Sequence, residues 1–203
     1  MNILFLGYKE SRIVKFLKSQ GHSVRVRTQK LSPEEVFEIG PDLIISHGYR
    51  HIIQKPVIER YHHKIINLHI SFLPWNRGVS PNLWSFVTAT KKGVSIHLID
   101  EGIDTGDILF QEEITFEEEV TLSDSYEVLK NTIENLFISN WSRIEDDECV
   151  PIKQDLTAGS YHSMKETDQI LQHLGDKPWT TKTGDLPALL RTTPRTNTPK
   201  RRE

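Results

Sequence analysis

The alternation of short apolar segments with amphipathic ones is the feature that most constrains how this chain can fold. Residues 2–7, 41–46 and 64–69 are apolar runs of strand length, and a further short strand is predicted over 23–28. Helical patterns separate these runs. Alternating strands and helices pack as a parallel sheet that is covered by helices on both faces. The pattern therefore predicts an α/β, Rossmann-like domain with a mostly parallel sheet.

Two more strands are predicted later in the chain, over 93–99 and 107–115, on either side of the polar segment 100–106. Because this pair breaks the alternation, it suggests an antiparallel or mixed edge that is added to the parallel sheet.

The helix signals are local. Residues 32–35 read Ser-Pro-Glu-Glu, which combines an N-cap, a proline at the first helical position and a glutamate three residues after the cap. Other helices are predicted over 11–20, 57–61, 80–90 and 168–174, and a long amphipathic helix is predicted to begin at Thr121 and Ser123.

These elements divide the chain into three parts. Residues 1–150 are predicted to form the main domain. Residues 151–191 contain too little apolar material for a core of their own, so we expect a short C-terminal appendage that packs back onto the main domain. Residues 192–203 contain only Thr, Pro, Asn, Lys, Arg and Glu, which predicts a disordered tail.

Composition argues against several classes of function. A net charge of -3 gives no general reason to expect a nucleic-acid partner or an anionic membrane partner. Cys149 is the only cysteine, which excludes an internal disulfide and favours a reducing compartment. The N-terminal apolar run is too short for a signal peptide or a membrane span. We therefore expect a cytoplasmic protein that binds neither membrane nor nucleic acid.

In open α/β sheets, ligands bind beyond the carboxyl ends of the strands. The polar segments 7–11, 46–51 and 69–78 follow predicted strands, and 101–106 precedes the last one. Catalytic and binding residues should lie in these four segments.

Asn67 and His69 lie two residues apart on a predicted strand, so both side chains point to the same face. An amide can stabilise a developing oxyanion, and an imidazole can manage the proton of an attacking group. The alternative is a buried pair that only forms hydrogen bonds with itself and the backbone.

The segment 100–107 is acidic and rich in glycine, but it lacks the spacing of a calcium-binding loop. Asp104 in this loop could orient His69 and raise the pKa of its ring, although an ordinary polar turn is the usual explanation. The chain has no cluster of His, Cys or Asp with metal-ligand spacing, so no metal is expected.

Together these motifs resemble the signature of the folate-dependent formyltransferases. Asn67 stands two residues before the pattern His69-x-Ser71-x-Leu73-Pro74, which ends at Gly78, and Asp104-x-Gly106 follows later. The resemblance covers about residues 1–150 and is more specific than a lone glycine-rich motif. It implies that Asn67, His69 and Asp104 are catalytic.

The resemblance also implies 10-formyltetrahydrofolate as the co-substrate, with no metal and no covalent enzyme intermediate. In this family, loops that match residues 46–53 and 100–104 surround the pterin, largely through backbone groups. The implied folate-binding residues are Tyr49, His51, Ile52, Ile53, Glu101 and Ile103.

The acceptor is predicted from finer similarities. The loop 73–78 is similar to that of the sugar N-formyltransferases, and Gly159-Ser160-Tyr161-His162 resembles a stretch in their tails. We therefore expect a small-molecule acceptor, an amino sugar carried on a nucleoside diphosphate. The predicted acceptor-binding residues are Lys9, Ser11, Arg12, Trp75, Asn76, Arg77, Gly78 and Tyr161.

Several alternatives stay open. Residues 65–116 are also similar to the formylation domain of nonribosomal peptide synthetases, which acts on a carrier-bound aminoacyl group. Glycinamide ribonucleotide is disfavoured because residues 7–12 depart from the purine-enzyme loop. Methionyl-tRNA is disfavoured by the acidic net charge and by the few residues after Val150. A non-catalytic folate-binding protein and a homodimer are further alternatives.

Overall fold

A computed structural model describes residues 1–117 and 119–187. The strands, numbered in chain order, are β1 Asn2–Gly7, β2 Ser23–Arg27, β3 Leu43–His47, β4 Ile65–His69, β5 Arg77–Gly78, β6 Gly93–Leu98, β7 Ile108–Glu113 and β8 Tyr161–His162. The α-helices are α1 Arg12–Ser19, α2 Pro33–Ile39, α3 Lys55–Arg60, α4 Pro81–Val87, α5 Leu122–Ser139, α6 Trp141–Glu145 and α7 Met164–His173.

The main sheet has six strands in the order β2-β1-β3-β4-β6-β7. Strands β1 to β4 are parallel to one another, whereas β6 pairs antiparallel with both β4 and β7. The predicted α/β architecture and its antiparallel edge are therefore confirmed.

Helices cover both faces of the sheet, as its apolar strands require. On one face, Phe5, Ile45 and Ile96 pack with α1 and α5, for example against Leu17 and Phe137. On the other face, a second cluster holds side chains from β1, β3 and β4 against α2 and α3. These two layers fix the positions of the strand ends that carry the polar side chains.

Capping residues set the helix boundaries more closely than apolar periodicity does. Ser32 and Glu35 form the predicted capping box of α2. Ser163 and Glu166 form a second capping box, so α7 begins at Met164 and not at the predicted residue 168. The apolar pattern misses this first turn because Met164–Thr167 has only one large apolar residue.

The segment after residue 150 packs on the main domain at several places. Leu186 is fully buried against Leu83 and Leu122. Strand β8 pairs with β5 in a separate two-stranded sheet, which the sequence pattern did not indicate. The predicted disordered tail, 192–203, lies outside the described residues, as do residues 188–191.

Candidate active site

Three side chains from two segments meet above the end of β4. Asn67 Nδ2 donates to Asp104 Oδ1 over 3.2 Å, and His69 Nδ1 lies 3.7 Å from Asp104 Oδ2. The alternation of side chains along β4 puts Asn67 and His69 on the same face, as the sequence predicts. Both polar groups therefore face one carboxylate.

A polar turn presents the carboxylate of Asp104. Asp100 Oδ1 accepts hydrogen bonds from Gly102 N and Thr105 Oγ1, at 3.0 and 2.6 Å, which closes the loop. Asp104 itself has a positive φ of 53°, a conformation that is uncommon for residues other than glycine. Its Oδ2 accepts from Gly78 N over 2.9 Å, which ties this loop to β5.

The charge of Asp104 is well stabilised. Burial by itself would raise the pKa of this carboxyl, but His69, His97 and the Gly78 N–H together hold the pKa far below its usual range. Asp104 is therefore an ionised hydrogen-bond acceptor throughout the physiological pH range.

His69 is buried, and its surroundings define its tautomer. Its Nε2 lies 3.3 Å from the carbonyl oxygen of Asn76, which can only accept, so Nε2 carries the hydrogen. Burial lowers the pKa of the ring, and the nearby Asp104 carboxylate partly opposes this shift. Because the pKa is lowered, the ring is mainly neutral at neutral pH, and its Nδ1 faces the Asp104 carboxylate.

His97 belongs to the same cluster, although the sequence analysis did not select it. It stands opposite Asn67 in the antiparallel pairing of β4 with β6. Its Nδ1–H donates to Leu98 O over 2.7 Å, which leaves Nε2 to accept from Asn67 Nδ2 at 3.1 Å. The signal that could have identified it is its place on the neighbouring strand, two residues from the end of the predicted strand 93–99.

The cluster lies in a cavity of about 660 Å³, a size typical of small-molecule sites. The six predicted folate-binding residues all line this cavity: Tyr49, His51, Ile52, Ile53, Glu101 and Ile103. Ile52 is 73% exposed and Ile103 is 43% exposed. Such exposed aliphatic groups beside polar loops suit a flat, partly apolar ring system.

Only two of the eight predicted acceptor-binding residues, Gly78 and Tyr161, line the described cavity. Ser11 is buried as the N-cap of α1, where it donates to Glu134. Asn76 is buried, and its side chain donates to Thr90 Oγ1 over 2.8 Å. Both residues lie outside the described cavity lining, and their side chains have protein partners.

The remaining four residues also lie away from the cavity lining. Arg12 is exposed and donates to Asn135 of α5, and Lys9 is exposed on the turn after β1. The rings of Trp75 and Phe72 lie 6.3 Å apart at a tilt of 32°, and Arg77 is half-buried in β5. They follow strands at the predicted edge of the sheet, but none of the four lines the described cavity.

Two other cations line the described cavity, Arg50 and Lys130. Lys130 on α5 lies over the ring of Tyr8, with its Nζ 5.5 Å from the ring centroid. Tyr8 shares a short hydroxyl–hydroxyl hydrogen bond with Tyr126, one turn before Lys130 on the same helix. This wall of the cavity is therefore both cationic and aromatic.

Residues after position 150 also line the cavity. Tyr161, Met164 and Trp179 line the cavity and are 46%, 59% and 44% exposed. Large apolar side chains with this much exposure at one cavity mouth indicate a ligand surface.

Within residues 1–117 and 119–187, no group of three or more His, Cys, Asp or Glu side chains is placed to hold a metal ion. In the same part of the chain, no helix has the length and apolar character needed to cross a bilayer.

The buried position of His69 predicts the direction in which its pKa is shifted. Because burial lowers its pKa, a histidine NMR titration should place the midpoint of His69 below 6.5, the ordinary value. In Asp104→Asn the midpoint should fall further, since the carboxylate that favours the charged ring is gone. A midpoint above 6.5 in the parent protein would contradict the buried, neutral ring.

The chain belongs to the formyl transferase family. The family model described as Formyl transferase matches residues 9–140, which include β4 and the Asp104 loop. The predicted family is thus confirmed.

The relatives are named for different acceptors of the formyl group. The methionyl-tRNA formyltransferase of Clostridium novyi is 34% identical over 142 residues, which is 70% of this chain but 46% of that protein. That of Clostridium botulinum is 31% identical over 168 residues, 82% of this chain and 52% of the relative. This chain therefore spans about half the length of the curated relatives it matches.

A solved structure matches over nearly its full length. The formyltransferase PseJ from Anoxybacillus kamchatkensis, in complex with UDP-4,6-dideoxy-4-formamido-L-AltNAc and tetrahydrofolate, is 43% identical with a TM-score of 0.86. The match covers 91% of this chain and 96% of that one. An N-formyltransferase from Helicobacter canadensis, at 22% identity and a TM-score of 0.71 over 82% of this chain and 72% of its own, shares the fold.

Proposed function

We propose that this protein transfers a formyl group from 10-formyltetrahydrofolate to the amino group of a nucleotide-linked amino sugar. The observation that carries the proposal is the near full-length match to PseJ, whose structure contains a UDP-linked formamido sugar and tetrahydrofolate. The cavity supports it, because apolar loops, an Asn–His–Asp cluster and a cationic wall meet in one space.

The reaction begins when the neutral amine attacks the formyl carbon, and the carbonyl electrons move onto oxygen. Asn67 Nδ2–H and His69 Nε2–H are the donors for that oxyanion. Their present hydrogen bonds to His97, Asp104 and Asn76 are 3.1 to 3.3 Å long. Hydrogen bonds of this length are common in ligand-free sites, and the side chains can exchange them for the oxyanion once the substrates are bound.

Collapse of the intermediate breaks the bond between the formyl carbon and N10 of the folate, and the electron pair stays on N10. The amine must lose a proton, and N10 must gain one. Asp104 has too low a pKa to hold a proton for long, so we assign the transfer to His69 Nδ1, directly or through water. Asp104 stabilises the imidazolium that forms.

The two substrates enter from different walls. We assign the folate to the loops that contain Tyr49 to Ile53 and Glu101 to Ile103. We assign the acceptor to the wall formed by Tyr161, Trp179 and α5, because Lys9, Arg12 and Arg77 do not line the described cavity. Lys130 supplies charge for the diphosphate, and an exposed aromatic ring supplies a surface for the base.

Lys130→Met should raise the KM for the nucleotide sugar by about tenfold, because one charge-assisted contact to phosphate is lost. The KM for the folate should change little. The matched control is Lys9→Met, which removes an exposed lysine from the same sheet edge but outside the cavity lining. Equal effects of Lys130→Met on both substrates would contradict the assignment, as would a larger effect of Lys9→Met.

An acceptor panel tests the proposed substrate class. Nucleotide-linked amino sugars, a carrier-bound aminoacyl group, glycinamide ribonucleotide and methionyl-tRNA would each be incubated with the enzyme and 10-formyltetrahydrofolate. We expect the highest kcat/KM for a nucleotide sugar, detected as a mass gain of one formyl group. A higher kcat/KM for methionyl-tRNA would favour the function named for the clostridial relatives.

A further inference from the structure

Gln154 contacts the backbone of the loop that carries Asp104. It lies in the part of the sequence that follows the family-matched residues. It is 7% exposed, and its Nε2 donates to Asp104 O over 3.0 Å and to Gly106 O over 2.6 Å. Both partners are carbonyl oxygens that only accept, so the side-chain orientation is fixed with the NH₂ group toward the loop. The family match ends at residue 140, so this contact belongs to the segment that follows it.

The chain brings Gln154 to this place through a short antiparallel bridge. Ile108 and Ile152 exchange two backbone hydrogen bonds, each of 2.8 Å, at the start of β7. Residue 154 then lies beside the turn that joins Asp104 to β7.

The loop needs such support because its conformation is unfavourable. Asp104 has a positive φ, and a conformation of this kind persists only where the surroundings hold it in place. The Gly78 N–H donates to the carboxylate of Asp104, and Gln154 donates to its backbone carbonyl oxygen. The ring of His69 meets Asp104 only if this geometry is kept.

We infer that Gln154 is a positioning residue that holds Asp104 in its catalytic conformation, so that the segment after the family-matched region completes the active site. The inference rests on the proposed formyl transfer through Asp104. Gln154 itself does not touch the reacting atoms in this account, and it acts only through the backbone of Asp104.

The test variant is Gln154→Met, which keeps the volume of the side chain and removes both donated bonds. We expect kcat to fall by about 10- to 100-fold, as for other small misplacements of a catalytic group, and by more than either KM rises. The NMR titration midpoint of His69 should also fall, because Asp104 no longer faces its ring. Gln154→Leu, which also removes both donated bonds but has a shorter apolar side chain, is the second variant if Gln154→Met does not fold.

Gln111→Met is the matched control. Gln111 Nε2 also donates two hydrogen bonds, to Leu73 O and Ser95 Oγ at 2.8 Å each, but it has no contact with the Asp104 loop. This control should lower stability and leave the His69 midpoint in place. Gln154 variants with the kcat and His69 midpoint of the parent would overturn the inference, and so would equal losses in Gln111→Met. A parent protein that formylates no amine would instead overturn the proposed function, and the His69 titration would still report on Gln154.

Discussion

Replacing Asp104 by asparagine is expected to lower kcat by about three orders of magnitude, while the protein keeps its fold. The substitution keeps the shape of the side chain but removes the charge that stabilises His69 as it takes up a proton. In a serine-protease triad the same exchange, of an aspartate behind a histidine, lowers kcat by a larger factor of about 10⁴. Single-turnover kinetics at saturating substrates measure the effect on chemistry.

Thermal unfolding and folate binding provide the controls for Asp104→Asn. Both should stay close to those of the parent protein, because the asparagine still accepts from Gly78 N through its carbonyl oxygen. A variant that folds, binds folate and turns over at the rate of the parent would remove Asp104 from the mechanism.

Gly78→Ala is expected to have the second large effect, on both stability and turnover. A Cβ at this position would lie 2.4 Å from His162 O and 2.8 Å from the ring of Tyr161. Because β5 and β8 pair here, the strands would have to separate. Separation would also move the Gly78 N–H away from Asp104. We expect a loss of at least about 2 kcal/mol in the free energy of unfolding, together with a lower kcat.

Gly21→Ala is the control that separates the steric clash of a new Cβ from the strain of a positive φ. Gly21 also has a positive φ, of 87°, but a Cβ there would meet nothing within 4 Å. The change should therefore cost about 1 kcal/mol, which is the backbone term alone, and leave kcat unchanged. Denaturant unfolding of both variants measures the difference. If the two variants lost equal stability, the close packing of β5 on β8 would not matter.

The sheet was predictable because its signals are local. Buried parallel strands such as β1 contain continuous apolar runs, and Ser32 and Glu35 mark the start of a helix within four residues. The β5–β8 pairing was not predictable in this way. Its strands have two residues each and lie more than eighty positions apart, so no periodicity marks them.

The site was predictable only in part. Asn67 and His69 share a face because strands alternate, and Asp104 was placed beside them through a resemblance. The cationic wall was missed because position at a strand end fixes the sheet edge but not the direction of a side chain. Lys9 lies two residues after β1 yet does not line the described cavity, whereas Lys130 lines it from the middle of α5.

The central claim is that the Asn67–His69–Asp104 cluster transfers a formyl group, and a labelled donor tests it most directly. The protein would be mixed with 10-formyltetrahydrofolate carrying ¹³C in the formyl group and with a UDP-linked amino sugar, and the products would be followed by ¹³C NMR. We predict that the label leaves the folate and appears as a formamide on the sugar nitrogen, and that Asp104→Asn slows this transfer. Stoichiometric folate binding with no label on any amine, in the parent protein, would contradict the claim and indicate a folate-binding protein without catalysis.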